Sequence, residues 1–185
     1  MTSFHVDQPG RLLLLSLLSG GLYPYLWFYR HWRHYRQRAR SGLPGKPKDA
    51  RIIPFWCMVF ESVYIVGTAR RVRDKLIEIK PDEAQTRPWL TLIFYNISIF
   101  TWWIESTEDV AVNTLILSLH ASILVIACQQ LARLQRKANL AMQLQGEINS
   151  ATRPINRWDI GVVLTGGTIG LLASLATLTP ASRLQ

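Results

Sequence analysis

Four polar residues inside apolar stretches are the strongest candidates for chemistry in this sequence. They are Glu61, Asn96, Asn113 and His120. Polar side chains are expensive to bury in a membrane, so they either bond across helices or mark the path of an ion or substrate. Asn113 and His120 are seven residues apart and share one face of a helix. Glu61 is the one acidic group that could complete a proton relay with His120, so a small transporter or channel is an alternative function.

Sequence motifs of enzymes are missing. The chain has no HExxH, GxSxG or Walker motif and no Cys/His metal-binding pattern. Cys57 and Cys128 lie in apolar runs and are predicted to be small buried hydrophobic residues. We therefore expect no cofactor, no metal and no enzymatic activity. A membrane enzyme that acts on lipid is the third function considered.

Five apolar stretches could position these residues. About 17–25 predominantly apolar residues are needed to span the hydrocarbon core. The stretches that meet this requirement are residues 12–29, 88–104, 110–128 and 160–178. The fifth, residues 52–69, carries Glu61 near its centre, where a carboxylate costs about 2.5–3.5 kcal/mol at mid-bilayer. The sequence predicts an all-α, polytopic membrane protein of one domain, with four transmembrane helices and a re-entrant or interfacial helix at 52–69.

Charge is strongly segregated along the chain. The net charge is +9, and 19 of the 21 lysines and arginines lie in residues 30–51, 70–87 and 129–159. Residues 105–109 hold three acids and no base. Basic connections stay on the cytoplasmic side of a membrane. With four spans, this rule places the basic connections inside, the acidic one outside, and both termini outside.

Aromatic residues followed by arginines dominate residues 20–40. The aromatics are Tyr23, Tyr25, Trp27, Phe28, Tyr29, Trp32 and Tyr35. Tyrosine and tryptophan concentrate at membrane interfaces, and arginines beyond them reach anionic headgroups. The order predicts that a first span, kinked at Pro24, leaves the membrane here through an aromatic belt. Nucleic-acid binding uses similar residues, but a groove tethered to a bilayer suits a duplex poorly, so we expect no nucleic-acid partner.

Two further patterns concern helix packing. Leu131, Leu134, Ala138 and Ala141 recur on one face of a helix, which predicts that the fourth helix continues as a cytoplasmic amphipathic helix over 129–149 and ends near Gly146. Small residues recur at four-residue spacing at Gly166, Gly170 and Ser174. Such spacing lets helix backbones approach closely, within the chain or between two copies in a homo-oligomer.

The same segments carry a family pattern. The matching residues are Gly21, Tyr23, Trp27, Phe28, Tyr29, Arg30, Trp32, Pro54, Phe55, Trp56 and Phe60. They resemble a family of uncharacterised bacterial inner-membrane proteins with the signature Gly-[Ile/Leu]-Tyr-x-x-x-Trp-Phe-Tyr-[Lys/Arg]-Asn-Trp, then Ile-Ser-Pro-Phe-Trp-Arg-x-x-Phe. His31 replaces the usual Asn, and Ile53 and Cys57 replace the Ser and Arg. Residues 136–139 and 155–167 are also similar to the family. The resemblance implies a bacterial membrane protein and no particular activity.

The sequence favours a non-enzymatic role as a partner-binding or accessory subunit. The predicted docking surface is the basic cytoplasmic face formed by residues 30–51 and 129–149. The expected partners are anionic lipids at that face and a membrane or cytoplasmic protein.

Overall fold

The computed structural model describes residues 4–42, 47–85, 89, 90, 93, 94, 96, 97, 109–146 and 154–178. Within them every regular element is helical, which confirms the predicted all-α class. The elements are α1 (Pro9–Leu18), α2 (Tyr23–Arg40), the short 3-10 helix η1 (Pro47–Arg51), α3 (Pro54–Val59), α4 (Glu61–Ile79), a second 3-10 helix η2 (Pro81–Glu83), α5 (Val110–Leu144) and α6 (Arg157–Leu178).

The longest helix, α5, runs through the predicted fourth span and into the helical extension that the sequence predicts after it. Asp109 caps its first turn by accepting a hydrogen bond from the backbone N–H of Ala111 (2.8 Å). It ends before Gly146, whose φ of 69° is left-handed. Its 35 residues extend over about 52 Å, against about 30 Å for a hydrocarbon core. The predicted span 110–128 therefore continues without a break as far as Leu144, and the end of the predicted extension, 147–149, lies outside the described residues.

The exposure of α5 changes halfway along it. In its first half Leu115 is 70% exposed and Leu119 52% exposed. In its second half the exposed positions include Arg133 and Arg136. The inner face of that half is buried, as predicted, at Leu131, Leu134, Ala138 and Ala141. One half is thus suited to lipid and the other to water.

The predicted first span, 12–29, is wrong as a single crossing. The chain breaks between α1 and α2 at Gly20 (φ 56°) and Gly21 (φ 89°), which are left-handed conformations that favour glycine. Ser19 Oγ then accepts a hydrogen bond from the backbone N–H of Tyr23 (2.8 Å) and so covers one of the free donors at the start of α2. The apolar run contains two helices and a tight turn.

Pro24 lies in the first turn of α2 and does not kink a longer helix, which corrects the sequence interpretation. A proline is tolerated there because the first backbone N–H groups of a helix lack internal partners. Pro9 and Pro54 begin α1 and α3 in the same way.

The α1–α2 hairpin lies along the second half of α5. At the start of the chain, the backbone N–H of Phe4 contacts Met142 Sδ (3.1 Å). At the tip of the hairpin, a Cβ on Gly21 would lie 3.0 Å from Leu124 Cδ1. The first leg therefore runs antiparallel to α5, from the level of Met142 to the level of Leu124.

The second leg, α2, returns towards the end of α5 where the chain began. Trp27 Nε1 donates to Gln135 Oε1 (2.7 Å), and the His31 ring lies 6.1 Å from the Phe4 ring, centroid to centroid. Phe4 and the arginines of α2 are therefore at one end of α5. The two predictions that the N-terminus is outside and that 129–149 is cytoplasmic exclude each other, because these segments are in contact.

The remaining predicted membrane segments have different outcomes. Residues 52–69 form two helices that meet at Phe60 rather than one. Most of 88–104 lies outside the described residues. By length and composition, two of the described helices, α5 and α6, could cross a membrane. The structure therefore does not support four spans.

Candidate functional site

The aromatic segment of α2 is mostly buried in the protein, so the predicted interfacial belt is wrong for most of its members. Tyr25 and Tyr29 are partly exposed. The buried rings are Tyr23, Trp27, Phe28, Trp32 and Tyr35. They pack against one another edge to face, as between Trp27 and Phe28 with 4.8 Å between ring centroids. α2 contacts α1, η1, α3 and α6, and its Trp27 reaches Gln135 of α5.

A buried ion pair joins α2 to the start of α6. Arg30 Nη1 donates to Asp159 Oδ1 (2.5 Å), and the Tyr23 hydroxyl donates to the same oxygen (3.1 Å). The Asp159 side chain is 1% exposed and that of Arg30 11% exposed. Arg30 is thus engaged inside the protein and does not belong to an open docking surface, which corrects the sequence prediction.

Asp159 also organises the first turn of α6. Its Oδ2 accepts a hydrogen bond from the backbone N–H of Asn156 (2.9 Å). In return, Asn156 Oδ1 accepts from the backbone N–H of Trp158 (3.0 Å) and of Asp159 (3.1 Å). This reciprocal pattern is the physical logic of a capping box. One carboxylate therefore both caps α6 and fixes it to α2.

A second buried network joins α2 to α5 and to the N-terminal segment. Gln135 accepts a hydrogen bond from Trp27 and donates through Nε2 to the backbone oxygen of His5 (2.9 Å) and to Asn139 Oδ1 (2.6 Å). Asn139 Nδ2 donates to the backbone oxygen of Asp7 (2.7 Å). Gln135 is fully buried, and these bonds satisfy its amide.

A third cluster holds η1 and α4 against α2. Arg71 forms a bidentate pair with Asp49, at 2.7 Å and 2.8 Å. Its guanidinium also lies over the rings of Trp32 (4.9 Å) and Tyr35 (4.7 Å). Burial lowers the pKa of the neighbouring His31, whose Nε2 lies 3.1 Å from the Tyr35 hydroxyl, well below the ordinary value. His31 is therefore neutral in the folded protein near pH 7.

Of the four candidate polar residues, His120 lines a cavity that the structure describes. Glu61 is buried at the start of α4, and Asn113 and His120 are buried on one face of α5. Asn96 is half-buried. His120 lines a cavity of about 340 Å³ between the hairpin tip, α5 and α6, and neither Glu61, Asn96 nor Asn113 is among its lining residues.

The small residues of α6 pack within the chain. A Cβ on Gly166 would lie 2.1 Å from the backbone oxygen of Ser19, and one on Gly167 would lie 2.9 Å from that of Leu18. Gly170 lines the cavity, and the Ser174 hydroxyl donates to its backbone oxygen (2.8 Å). The partner of this face is the turn between α1 and α2.

The sequence analysis did not identify the polar residues that join α2 from distant parts of the sequence. Asp159, Asn156, Gln135 and Asn139 had no assigned role, although three of them lie in the segments of the C-terminal half that resemble the uncharacterised family. The group formed by Tyr23, Trp27 and Arg30 brings these separate segments together. Because the polar atoms of the group form hydrogen bonds with one another, the group holds the helices together. Among the described residues, no group of three or more His, Cys, Asp and Glu side chains could hold a metal ion.

Comparison of the chain with protein families, with curated proteins and with solved structures gives no match. The resemblance noted above therefore stays a prediction.

Proposed function

We propose that this protein is a non-enzymatic subunit of the bacterial inner membrane that binds a protein partner through a basic cytoplasmic head. The head comprises the arginine-rich end of α2, η1, α3, α4 and the second half of α5. The observation that carries the proposal is the division of α5: its first half exposes leucines, and its second half exposes Arg133 and Arg136. Apolar exposure of that extent along one half of a helix favours lipid contact.

The charges of the head give its orientation in this proposal. The basic connections belong to the cytoplasmic side, so the N-terminus, which contacts Met142, belongs there too. The α1–α2 hairpin is then re-entrant, and α5 and α6 cross the membrane. Lys137 Nζ donates to the backbone oxygen of Glu83 (3.0 Å), whereas Asp109 lies at the opposite end of α5. Glu83 and Asp109 therefore lie towards opposite ends of α5.

The partner surface in this proposal is the exposed side of the second half of α5. Arg133 and Arg136 are one turn apart and both exposed, and the leucines beneath them are buried in the head. Arginine is enriched at protein interfaces because its planar donors pair with carboxylates. An acidic patch on a membrane or cytoplasmic protein fits this surface.

Site-specific photo-crosslinking in native membranes tests the proposal. A photoreactive residue at Arg136 should give an adduct of defined mass, and the same residue at Leu115 should give lipid adducts only. Arg133→Glu should remove the protein adduct by charge repulsion while leaving the abundance of the subunit unchanged. Identical adduct patterns at positions 136 and 115 would rule out a partner on this surface.

The cavity beside His120 favours transport as the second candidate. It is small, and of the predicted path residues it includes His120 alone. The test measures proton flux into liposomes that contain the purified protein. A flux that is lost in His120→Ala at equal protein content would support transport instead of the accessory role. If a pH-sensitive dye responds equally in liposomes with and without the protein, transport is excluded as the function.

A further inference from the structure

A groove between α2 and α3 gathers positive charge without a carboxylate. Its volume is about 300 Å³, and its lining includes Arg33, Arg36 and Arg40. These arginines are spaced i, i+3, i+7 and so lie on one face of α2. Like charges at such spacing repel one another, and the residues that line the groove include no acid to offset them. The groove is therefore suited to binding an anion.

The donors of this groove are available to a ligand. Arg33 and Arg40 are exposed, and Arg36 is half-buried. Arg36 Nε is buried, and among the described residues it has no hydrogen-bond partner. Arg40 Nε donates to the backbone oxygen of Ala50 (3.3 Å), which holds its guanidinium at one end of the groove. A buried donor without an acceptor is destabilising, and a phosphate oxygen would supply the acceptor.

The rim of the same groove is apolar and aromatic. Pro54 and Phe55 of α3 line it, and Phe55 is 51% exposed. Trp56 and Phe60 are also half exposed, with 5.9 Å between their stacked rings. A short helix that exposes large rings beside arginines has the character of an element that lies in the membrane interface. This agrees with the interfacial position that the sequence predicts for residues 52–69.

The groove lies at the level where α6 begins. Tyr29 lines the groove, and the next residue, Arg30, is paired with Asp159 in the first turn of α6. Trp158, beside Asp159, is 64% exposed, as expected of a tryptophan at a membrane surface. The arginines and the α3 rings therefore meet the zone of headgroups in the orientation proposed above.

We propose that this groove binds the headgroup phosphate of an anionic phospholipid, with Arg33, Arg36 and Arg40 around the phosphate and the rings of α3 among the acyl chains. The proposal rests on the membrane orientation given above. Three charges without a carboxylate favour a lipid of net negative charge over a zwitterionic one. The adjoining apolar rim favours a lipid over a free anion, because a free anion gives the exposed rings no contact.

The test uses the full chain purified in a neutral detergent, with bound lipid counted by native mass spectrometry. Phosphatidylglycerol, phosphatidylcholine and inorganic phosphate are titrated separately. The variant is Arg33→Gln with Arg36→Gln. Its matched control is Arg70→Gln with Arg73→Gln, which removes two exposed charges at the same spacing from α4. We expect phosphatidylglycerol to bind wild type and control alike, and to bind the groove variant roughly 30-fold more weakly.

Several outcomes would overturn the proposal. The first is that the groove variant and the control bind phosphatidylglycerol equally. The second is that the wild type binds phosphatidylcholine as tightly as phosphatidylglycerol. The third is that inorganic phosphate displaces all the bound phosphatidylglycerol. If the double variant does not fold, Arg33→Gln alone, at an exposed position, should still weaken binding about fivefold. If Arg33→Gln instead removes a crosslinked protein and leaves lipid binding intact, the groove is a protein site. If the photoreactive residue at position 136 gives no protein adduct but phosphatidylglycerol binds as expected, the accessory role is wrong and the lipid site stands.

Discussion

Gly166 of α6 lies so close to the backbone of Ser19 that a Cβ at position 166 would sit 2.1 Å from the Ser19 carbonyl oxygen. This contact joins the tip of the re-entrant hairpin to the middle of a helix that we place across the membrane. Because the opposing atoms are backbone, they cannot move aside as a flexible side chain would.

Replacing Gly166 by alanine should therefore separate α6 from the hairpin. We expect Gly166→Ala to lower the free energy of unfolding by about 1–3 kcal/mol through overpacking. Gly161→Ala in the same helix is the matched control, since nothing lies within 4 Å of its added Cβ. It should be neutral or stabilising by up to about 1 kcal/mol. Unfolding in detergent micelles measures both, and equal stability of the two variants would contradict the close contact.

The buried pair of Arg30 and Asp159 leads to a second prediction. Arg30→Met removes one partner and leaves a carboxylate that is 1% exposed without its cation. We expect a loss of about 3–5 kcal/mol in the free energy of unfolding, with part of it recovered when Asp159→Asn is added.

The exposed pair of Arg73 and Asp74 provides the control for that measurement. Their side chains are 46% and 60% exposed, so Arg73→Met should change the free energy of unfolding by at most about 1 kcal/mol. If Arg30→Met behaves like Arg73→Met, or if the double variant loses as much as the single one, the pair does not hold α6 to α2.

Local pattern predicted part of this architecture and could not predict the rest. The helical period of Leu131, Leu134, Ala138 and Ala141 gave the buried face of α5, because spacing along one helix is a local property. The sequence predicted a kink at Pro24 and not the reversal at Gly20 and Gly21, because the left-handed φ angles of these glycines cannot be read from residue type alone. The partner of Tyr23 is Asp159, 136 positions away, and no local periodicity reports such a distance.

The buried His31 predicts a pH dependence of stability. Burial lowers its pKa, and His5, His34 and Arg71 nearby act in the same direction. Below about pH 6.5 the unfolded chain binds a proton at this residue that the folded protein does not bind. The free energy of unfolding should therefore fall by up to about 1.4 kcal/mol per pH unit as the pH drops from 6.5 towards the folded-state pKa.

Substitution of His31 separates this effect from other titrations. Thermal unfolding of His31→Phe between pH 5 and 8 should lack most of the slope. His34→Phe, at a half-buried position, should keep most of it, because burial is the largest cause of the lowered pKa of His31. An unchanged slope in His31→Phe would assign the pH dependence to other groups.

If the α1–α2 hairpin is re-entrant, as proposed above, it leads to a prediction about membrane sidedness. In this fold the N-terminal segment contacts the end of α5 at Met142, whereas Val110 begins α5 at the opposite end. Single cysteines at the exposed positions Gln8 and Gln143 should therefore react with a membrane-impermeant maleimide from one side, and Val110→Cys from the other.

The native cysteines should give little background in that experiment. Cys57 and Cys128 are both buried, and burial raises the pKa of the Cys57 thiol to about 11, so little of it is thiolate at pH 7. Labelling after solubilisation in detergent checks that all three introduced cysteines can react. If Gln8→Cys and Val110→Cys react from the same side of sealed vesicles, residues 12–29 cross the membrane once, and the hairpin does not exist in the bilayer.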